Sequence, residues 1–399
     1  MSGEMKKKIL IVSSSLTTGG LEKCLVNLCD NLDYERYEVD LYLFNEGRAL
    51  LPKLNPNVTL LPDSPYYADV YNRSVGASVK ILLKKKKFGL LLYRLRRFLR
   101  ARIGKTEMTV SDWKHMKETM LKLDTHYDVA IGFEEGSACY YVADCVNADV
   151  KLGWIHTDIK KINNNRELDE SAFERLDRVI TVSQNSLRNL REVYPTFKDK
   201  FQCIVLPSLL NYDEVNRLAE EPNGMKCDET KILSVGRLVE LKGFHLCVPA
   251  CKRLLDEGYR VKWFVAGDGD FRSDVEAEIE KYGLKEQFIL LGNCKNPYTY
   301  MKNADICVQP SSYEGYSVAV FEEKYFKKPV VVTDIPSNFE MITDKKNGVI
   351  IRRTTDDIYQ GVKYLLDNPS DRARIAKTAV NGLSDNAEII REIEKCFEK

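Results

Sequence analysis

Lys231-Ile232-Leu233-Ser234-Val235-Gly236-Arg237-Leu238-Val239-Glu240-Leu241-Lys242-Gly243-Phe244 reads as a short buried strand, a glycine-bearing loop and the start of a helix. The chain begins the same way, with an apolar run at 8–12, a Ser/Thr/Gly loop at 13–20 and a helical pattern over 21–32. Working outward from the first start, β-rich runs fall at 37–45, 57–61, 128–133, 150–155, 178–182 and 203–206. Helical patterns lie between them, including 167–176 and a Ser183-capped 184–193. From the second start, helices at 244–257, 273–282, 298–302 and about 317–326 alternate with strands at 260–266, 288–291, 306–309 and 330–333. Short strands separated by helices mean βαβ units and parallel sheets. The segment 207–229, with Pro222-Asn223-Gly224, is the best boundary. The expected architecture is therefore α/β: two doubly wound domains, 1–215 and 216–385, with a ligand cleft between them. The 386–399 helix is expected to cross back to the first domain. In open α/β sheets the ligand lies beyond the carboxyl ends of the strands, where both halves carry their glycine loops.

The composition bounds the function. The chain has 399 residues, 44% hydrophobic and 30% charged, with 60 Lys+Arg against 59 Asp+Glu. Such a composition excludes a disordered, collagenous or disulfide-stapled protein, and no apolar run reaches the ~18 residues of a spanning helix. The four apolar residues after Lys6-Lys7-Lys8 are too few for a secretion signal. The 11 Cys then read as reduced cytosolic thiols.

The near-neutral total hides an uneven distribution. From Lys80 to Lys105 there are eleven basic residues and no acidic one, which leaves 49 basic against 59 acidic elsewhere. Within this basic amphipathic insertion, about 79–105, Phe88, Leu92, Leu95, Leu99 and Ile103 recur at helical spacing on one face. That pattern suits an anionic membrane surface. The competing reading is a core helix whose Lys and Arg heads reach solvent. Nucleic acid is not expected, because the aromatics form no stacking platform.

Several residues carry chemistry. Gly19-Gly20 precedes a helix start, where the backbone can approach an anion; no Gly-Lys-Ser/Thr follows, so this is not a P-loop. Gly267-Asp268-Gly269 is a partial dinucleotide fingerprint, with Arg272 at the third glycine position. Arg237 and Lys242, at a strand end and a helix start, suit a diphosphate. In Pro310-Ser311-Ser312-Tyr313-Glu314-Gly315-Tyr316-Ser317-Val318, Glu314 stands in a loop before a helix, and Glu322 lies inside that helix, roughly 7–8 Å further along. The amides near Tyr316, Ser317 and Val318 can hold phosphate. A solvated surface charge is one reading open to Glu323. His156 ends the 151–155 strand, with Asp158 a weaker candidate for acceptor binding. His245, Cys247 and Cys251 read as core rather than as a metal site, and no metal is expected.

These residues resemble the family 4 retaining glycosyltransferases of GT-B fold, two facing Rossmann-like domains, over nearly the whole chain and most densely from 231 to 351. Glu314 and Glu322 occupy the two positions of that family's Glu-x7-Glu motif. The resemblance implies that Glu314 contacts the donor sugar near the reacting carbon and that Glu322 binds the ribose hydroxyls. It also implies that Arg237 and Lys242 neutralise the donor diphosphate, and that the backbone near Cys294 receives the base. Gly19-Gly20 matches the loop that closes on the donor, and His156 a histidine that touches the sugar. Ser317 and Glu323-Lys324-Tyr325 depart from the family pattern, which bears on sugar specificity.

The function so implied is metal-independent, retaining transfer of a hexose or N-acetylhexosamine from a nucleotide sugar, UDP favoured, with no cofactor beyond the donor. The acceptor would be a glycan, lipid-linked, in bacterial polysaccharide or glycolipid synthesis. The protein would be cytoplasmic and peripheral on the inner face of the cell membrane. The rivals are a nucleotide-sugar epimerase of similar fold, a non-catalytic nucleotide-sugar-binding protein and, least favoured, a nicotinamide oxidoreductase.

Overall fold

Strand β1, Lys7–Ser13, is buried continuously from Ile9 onward, as a central parallel strand covered on both faces must be. The computed structural model describes residues 6–17, 19–104, 108–162, 165–206, 209–381, 383 and 385–399. Beside β1 run β2 (Tyr37–Leu43), β3 (Val58–Leu60), β4 (His126–Gly132), β5 (Asn147–Ile155), β6 (Arg178–Thr181) and β7 (Phe201–Cys203). They form one sheet in the order β3-β2-β1-β4-β5-β6-β7, parallel throughout, with Ile9 opposite both Val39 and Val129. The second sheet comprises β8 (Thr230–Val235), β9 (Val261–Ala266), β10 (Phe288–Gly292), β11 (Ile306–Gln309), β12 (Val330–Thr333) and β13 (Val349–Ile351). Its order is β10-β9-β8-β11-β12-β13, again parallel. In both sheets the order reverses beside the first strand of the unit, the switch point at which doubly wound sheets bind ligands.

The chain divides into two compact units, residues 1–209 with 386–399, and residues 210–385. The division falls at 209/210 rather than 215/216 because the Tyr212–Ala219 helix buries Val215 with Leu210 and Phe321 of the second unit. The closing helix, Asn386–Lys395, packs on the first unit. Tyr37 donates to Glu394 at 2.9 Å, Arg178 reaches the Lys395 carbonyl at 2.8 Å, and Phe397 meets the Tyr37 ring edge-on at 5.7 Å.

Some elements differ from expectation. The last strand of the first sheet is Phe201–Cys203, not 203–206, because the buried Phe201 ring packs against Phe173 at 5.4 Å. The stretch at 244–257 divides into a 3-10 turn, Phe244–Leu246, and a helix, Cys247–Asp256, whose first turn accommodates Pro249. β13 is too short to show in the sequence pattern.

Between β3 and β4 the chain inserts the helices Tyr67–Tyr71, Val75–Lys84, Phe88–Arg102 and Val110–Lys117. The basic stretch is therefore two helices, broken where Lys86 takes φ 54°. Leu90 and Tyr93 turn inward onto Val70 and Leu82. The expected apolar face exists but points outward: Phe88, Leu92, Leu95, Leu99 and Ile103 are exposed, Leu92 to 71%. That excludes the core-helix alternative. Lys105, the end of the basic stretch, lies outside the described residues. Among the described residues no helix is long and apolar enough to cross a membrane.

Candidate active site

In the second unit, the loops after β8, β9 and β11 lie against one another, and glycines permit it. Gly267 has φ 153°, and a Cβ there would stand 1.8 Å from the Gly236 carbonyl oxygen. Gly243 has φ 73°, with no room for a Cβ beside the Pro310 carbonyl. Arg353 ties the same loops together, donating to the Pro310 carbonyl at 3.2 Å and the Glu240 carbonyl at 2.8 Å.

This packing brings Lys242 onto Glu314. The ammonium pairs with Glu314 Oε1, and Ser311 Oγ donates to the same oxygen at 2.8 Å. Both side chains are more than four-fifths covered, so each holds the other in place. Arg237 is exposed, and its guanidinium makes no ion pair or hydrogen bond with a described residue. Of the two expected phosphate-binding cations, one is thus committed to a carboxylate and the other is open. Ser317 caps the Val318–Tyr325 helix, its Oγ accepting from the Val320 amide at 3.5 Å. The amides of Val318 and Ala319 have no partner within such a helix, and Tyr316 stands just before them. Glu322 is buried and accepts a hydrogen bond from Tyr298 Oη at 2.9 Å. Cys294 lies half-buried beyond β10, its thiol turned to the Asn296 carbonyl at 3.2 Å.

Glu323 is wholly buried, which overturns its reading as a surface charge. Gln309 donates to its Oε1 at 2.6 Å, its Oε2 has no partner among the described residues, and burial pushes its pKa up to about 8. Lys324 is buried too, donating to the Met341 carbonyl at 2.6 Å, and burial brings its pKa down to about 8.

In the first unit, Gly19 is the N-cap of the Gly20–Asn31 helix and leaves space for Glu22, which accepts from the Thr17 hydroxyl. Glu134, just beyond β4, was not singled out from the sequence. It accepts from the Ser14 amide at 2.5 Å and the Ser14 hydroxyl at 3.0 Å, and burial raises its pKa to about 7. His156 follows β5, its ring against Phe133 (5.0 Å) and nearly parallel to Trp154 (6.2 Å, 24°). Its amide donates to Glu135 at 3.0 Å, and its Nε2 has no partner among the described residues. Burial, against the pull of Glu135, lowers its pKa to about 4, so the imidazole is neutral at neutral pH. Such a ring can exchange a hydrogen bond with a neutral hydroxyl without bringing in charge. Asp158 is spent on structure: it is buried and accepts from Asn189 at 2.8 Å and the Lys160 amide at 3.0 Å.

Cys247 and Cys251 are wholly buried, their thiols pushed up by burial. The sequence reading that no Asp-x-Asp motif occurs to carry a divalent ion is corrected at one place, Asp268-Gly269-Asp270. Both carboxylates are exposed, and Asp268 faces its own loop, accepting from the Gly269 amide at 2.9 Å with Arg272 at 3.5 Å. Among the described residues no three His, Cys, Asp or Glu side chains gather as metal ligands.

Residues 216–381 match the family described as Glycosyl transferases group 1. The chain is 27% identical over 236 residues (58% of the chain) to the N-acetylgalactosamine-N,N'-diacetylbacillosaminyl-diphospho-undecaprenol 4-alpha-N-acetylgalactosaminyltransferase of Campylobacter jejuni, covering 62% of that protein. It is 20% identical to the amylovoran biosynthesis glycosyltransferase AmsD of Erwinia amylovora over 96% of each chain. The chain spans between 50% and 62% of the length of the first three curated relatives it matches. Among solved structures, it is similar to Anabaena HepE in complex with UDP (TM-score 0.66, 16% identity, 97% of this chain and 98% of that one). The Staphylococcus aureus protein TarM gives TM-score 0.67 at 15% identity over all of both chains. The fold is GT-B, two Rossmann-like domains.

Proposed function

Starting from the match of residues 216–381 to the glycosyl transferases group 1 family, we propose that the chain is a retaining glycosyltransferase. It moves a hexose or N-acetylhexosamine from a UDP-sugar to a lipid-linked glycan in polysaccharide or glycolipid synthesis. The observation that carries this reading is the Lys242–Glu314 pair, covered from solvent beside the open guanidinium of Arg237. The UDP complex of HepE supports the choice of nucleotide, and the activity for which the Campylobacter relative is named supports a lipid-diphosphate acceptor.

In this reading Arg237 and the amides of Val318 and Ala319 take up the charge of the departing diphosphate. Glu314, held by Lys242 and Ser311, fixes the donor sugar near its anomeric carbon. Glu322 takes the ribose diol and the backbone at Cys294 the base, while His156 Nε2 meets a sugar hydroxyl. The acceptor oxygen bonds to the anomeric carbon on the face that the diphosphate leaves. The carbon–oxygen bond to the diphosphate breaks, and the acceptor's proton passes to the leaving phosphate oxygen. The cations of the chain serve where other transferases use a divalent ion, so a chelator is expected to leave the rate unchanged.

A thermal-shift panel of nucleotide sugars, followed by turnover with the best binder, tests the reading. Glu314→Ala is expected to lower turnover at least roughly tenfold with the fold intact, although the loss of Lys242's covered partner lowers the melting temperature. Wild-type turnover in the variant would refute the assignment. A modified nucleotide sugar released without acceptor would mark an epimerase instead.

A further inference from the structure

The Phe88–Arg102 helix has two apolar faces, and only one is used within the chain. Leu90 and Tyr93 face inward, where Tyr71 Oη meets Tyr93 Oη at 3.2 Å and the His115 ring stacks on Tyr93 at 4.6 Å. The opposite stripe, Phe88, Leu92, Leu95, Leu99 and Ile103, lies within an arc of about 80° at 100° per residue and runs for about 22 Å. All five side chains are exposed, four of them to more than 60%. Isolated exposed leucines are ordinary; a continuous stripe of this length is not.

The flanking charges indicate what covers it. Arg96 and Arg102 fall on opposite shoulders of the stripe, about 60° to either side of its centre. Lys80, Lys84 and Lys86 precede it, and no acidic residue occurs between Asp69 and Glu107. Other cations of the segment have structural work within the first unit. Lys85 pairs with Asp69 at 2.6 Å, Arg100 with Asp112 at 2.6 Å, and Arg94 reaches the Arg73 carbonyl at 3.1 Å. Lys80, Lys84, Lys86, Arg96 and Arg102 form no ion pair with a described residue. Lys87 and Arg97 lie over the Tyr66 and Tyr71 rings, each at 4.8 Å, and Arg102 lies over the Phe98 ring at 4.4 Å. Lys80, Lys84, Lys86 and Arg96 are therefore held by neither a carboxylate nor a ring among the described residues.

We propose that this helix lies in the headgroup region of an anionic bilayer. Phe88, Leu92, Leu95, Leu99 and Ile103 enter the acyl boundary, and Lys84, Lys86, Arg96 and Arg102 meet lipid phosphates. A half-immersed helix buries its apolar face about 5–10 Å deep, a depth the stripe reaches without disturbing the inward face. A protein partner would have to offer an acidic rim around a 22 Å apolar strip, whereas a lipid surface offers both along any direction.

The test is co-sedimentation of the full chain with phosphatidylcholine vesicles and with equimolar phosphatidylcholine–phosphatidylglycerol vesicles. Binding is expected to the mixed vesicles and to fall with added salt. Each basic residue near such a surface contributes about a fivefold factor, so Lys84→Ser, Lys86→Ser and Arg96→Ser together should weaken binding about a hundredfold. Leu92→Asp with Leu99→Asp should weaken it at least roughly tenfold, with an unchanged melting curve because both side chains are already outside the core. Equal binding to both vesicle types, or wild-type binding by either variant, would overturn the proposal. So would a self-associating chain that ignores vesicles and becomes monomeric in the Leu→Asp variant. Vesicle binding by a chain with no transferase activity would leave the lipid surface standing and remove the donor-site reading, so the two fail separately.

Discussion

Glu323 is the residue whose surroundings most contradict its chemistry. A carboxyl buried in a helix next to Glu322, with one oxygen unpartnered, favours its protonated form. Its unfolded pKa is near 4.5 and its folded pKa about 8, so between those values the native state holds a proton that the unfolded chain has lost. Stability from this group is therefore full below pH 4.5 and declines as pH rises toward 8. Glu323→Gln should show no such decline, and its melting temperature should gain on the wild type steadily across that window and stay ahead above it. A constant difference from pH 5 to 9 would contradict the assignment. Arg237→Ala belongs to the same scale: the open guanidinium predicts about a tenfold rise in donor KM with an unchanged fold, measured in steady-state kinetics. The placement of Glu314 before a helix and of Glu322 inside it was legible because their spacing is local. The Lys242–Glu314 pair was not, since its partners are 72 residues apart and meet only through glycine-bearing loops. Nor was the burial of Glu323 and Lys324, because charged letters in a helix ordinarily mark its wet side.

At the scale of elements, the loop after β9 depends on one backbone position. Gly267→Ala would force a side chain into φ 153° and against the Gly236 carbonyl, and should cost about 2–4 kcal/mol, read from chemical denaturation of the second unit. Both strand–loop–helix starts were legible, as buried parallel strands read as unbroken apolar runs. β7 was misplaced because Phe201 enters the core from a segment with few other apolar residues, and β13 was missed for its length of three. In the basic insertion, periodicity identified the stripe of Phe88 and Leu92 but could not say which way it faced. Direction came from Leu90 and Tyr93, a second and shorter apolar face that fixes the helix on Val70 and Leu82.

The whole molecule is two units, one of which is assembled from both ends of the sequence. The Asn386–Lys395 helix buries Ile389 and Ile393 on the first unit, and Cys396 and Phe397 follow it into that core. Phe397→Ala should cost about 3 kcal/mol and lower the melting transition of the first unit while leaving that of the second in place. A single cooperative transition shifted as one would contradict this, and calorimetry distinguishes the two. The arrangement also sets an order in time. Synthesis runs from the amino terminus, so the seven-stranded sheet is complete long before the helix that covers Tyr37 exists. The whole of residues 210–385 must be made in between, on the order of ten to forty seconds at ribosomal speed. For that interval the apolar surface awaiting Ile393 and Phe397 is exposed on a nascent chain, and the amino-terminal unit, although first to be made, is the last to be finished.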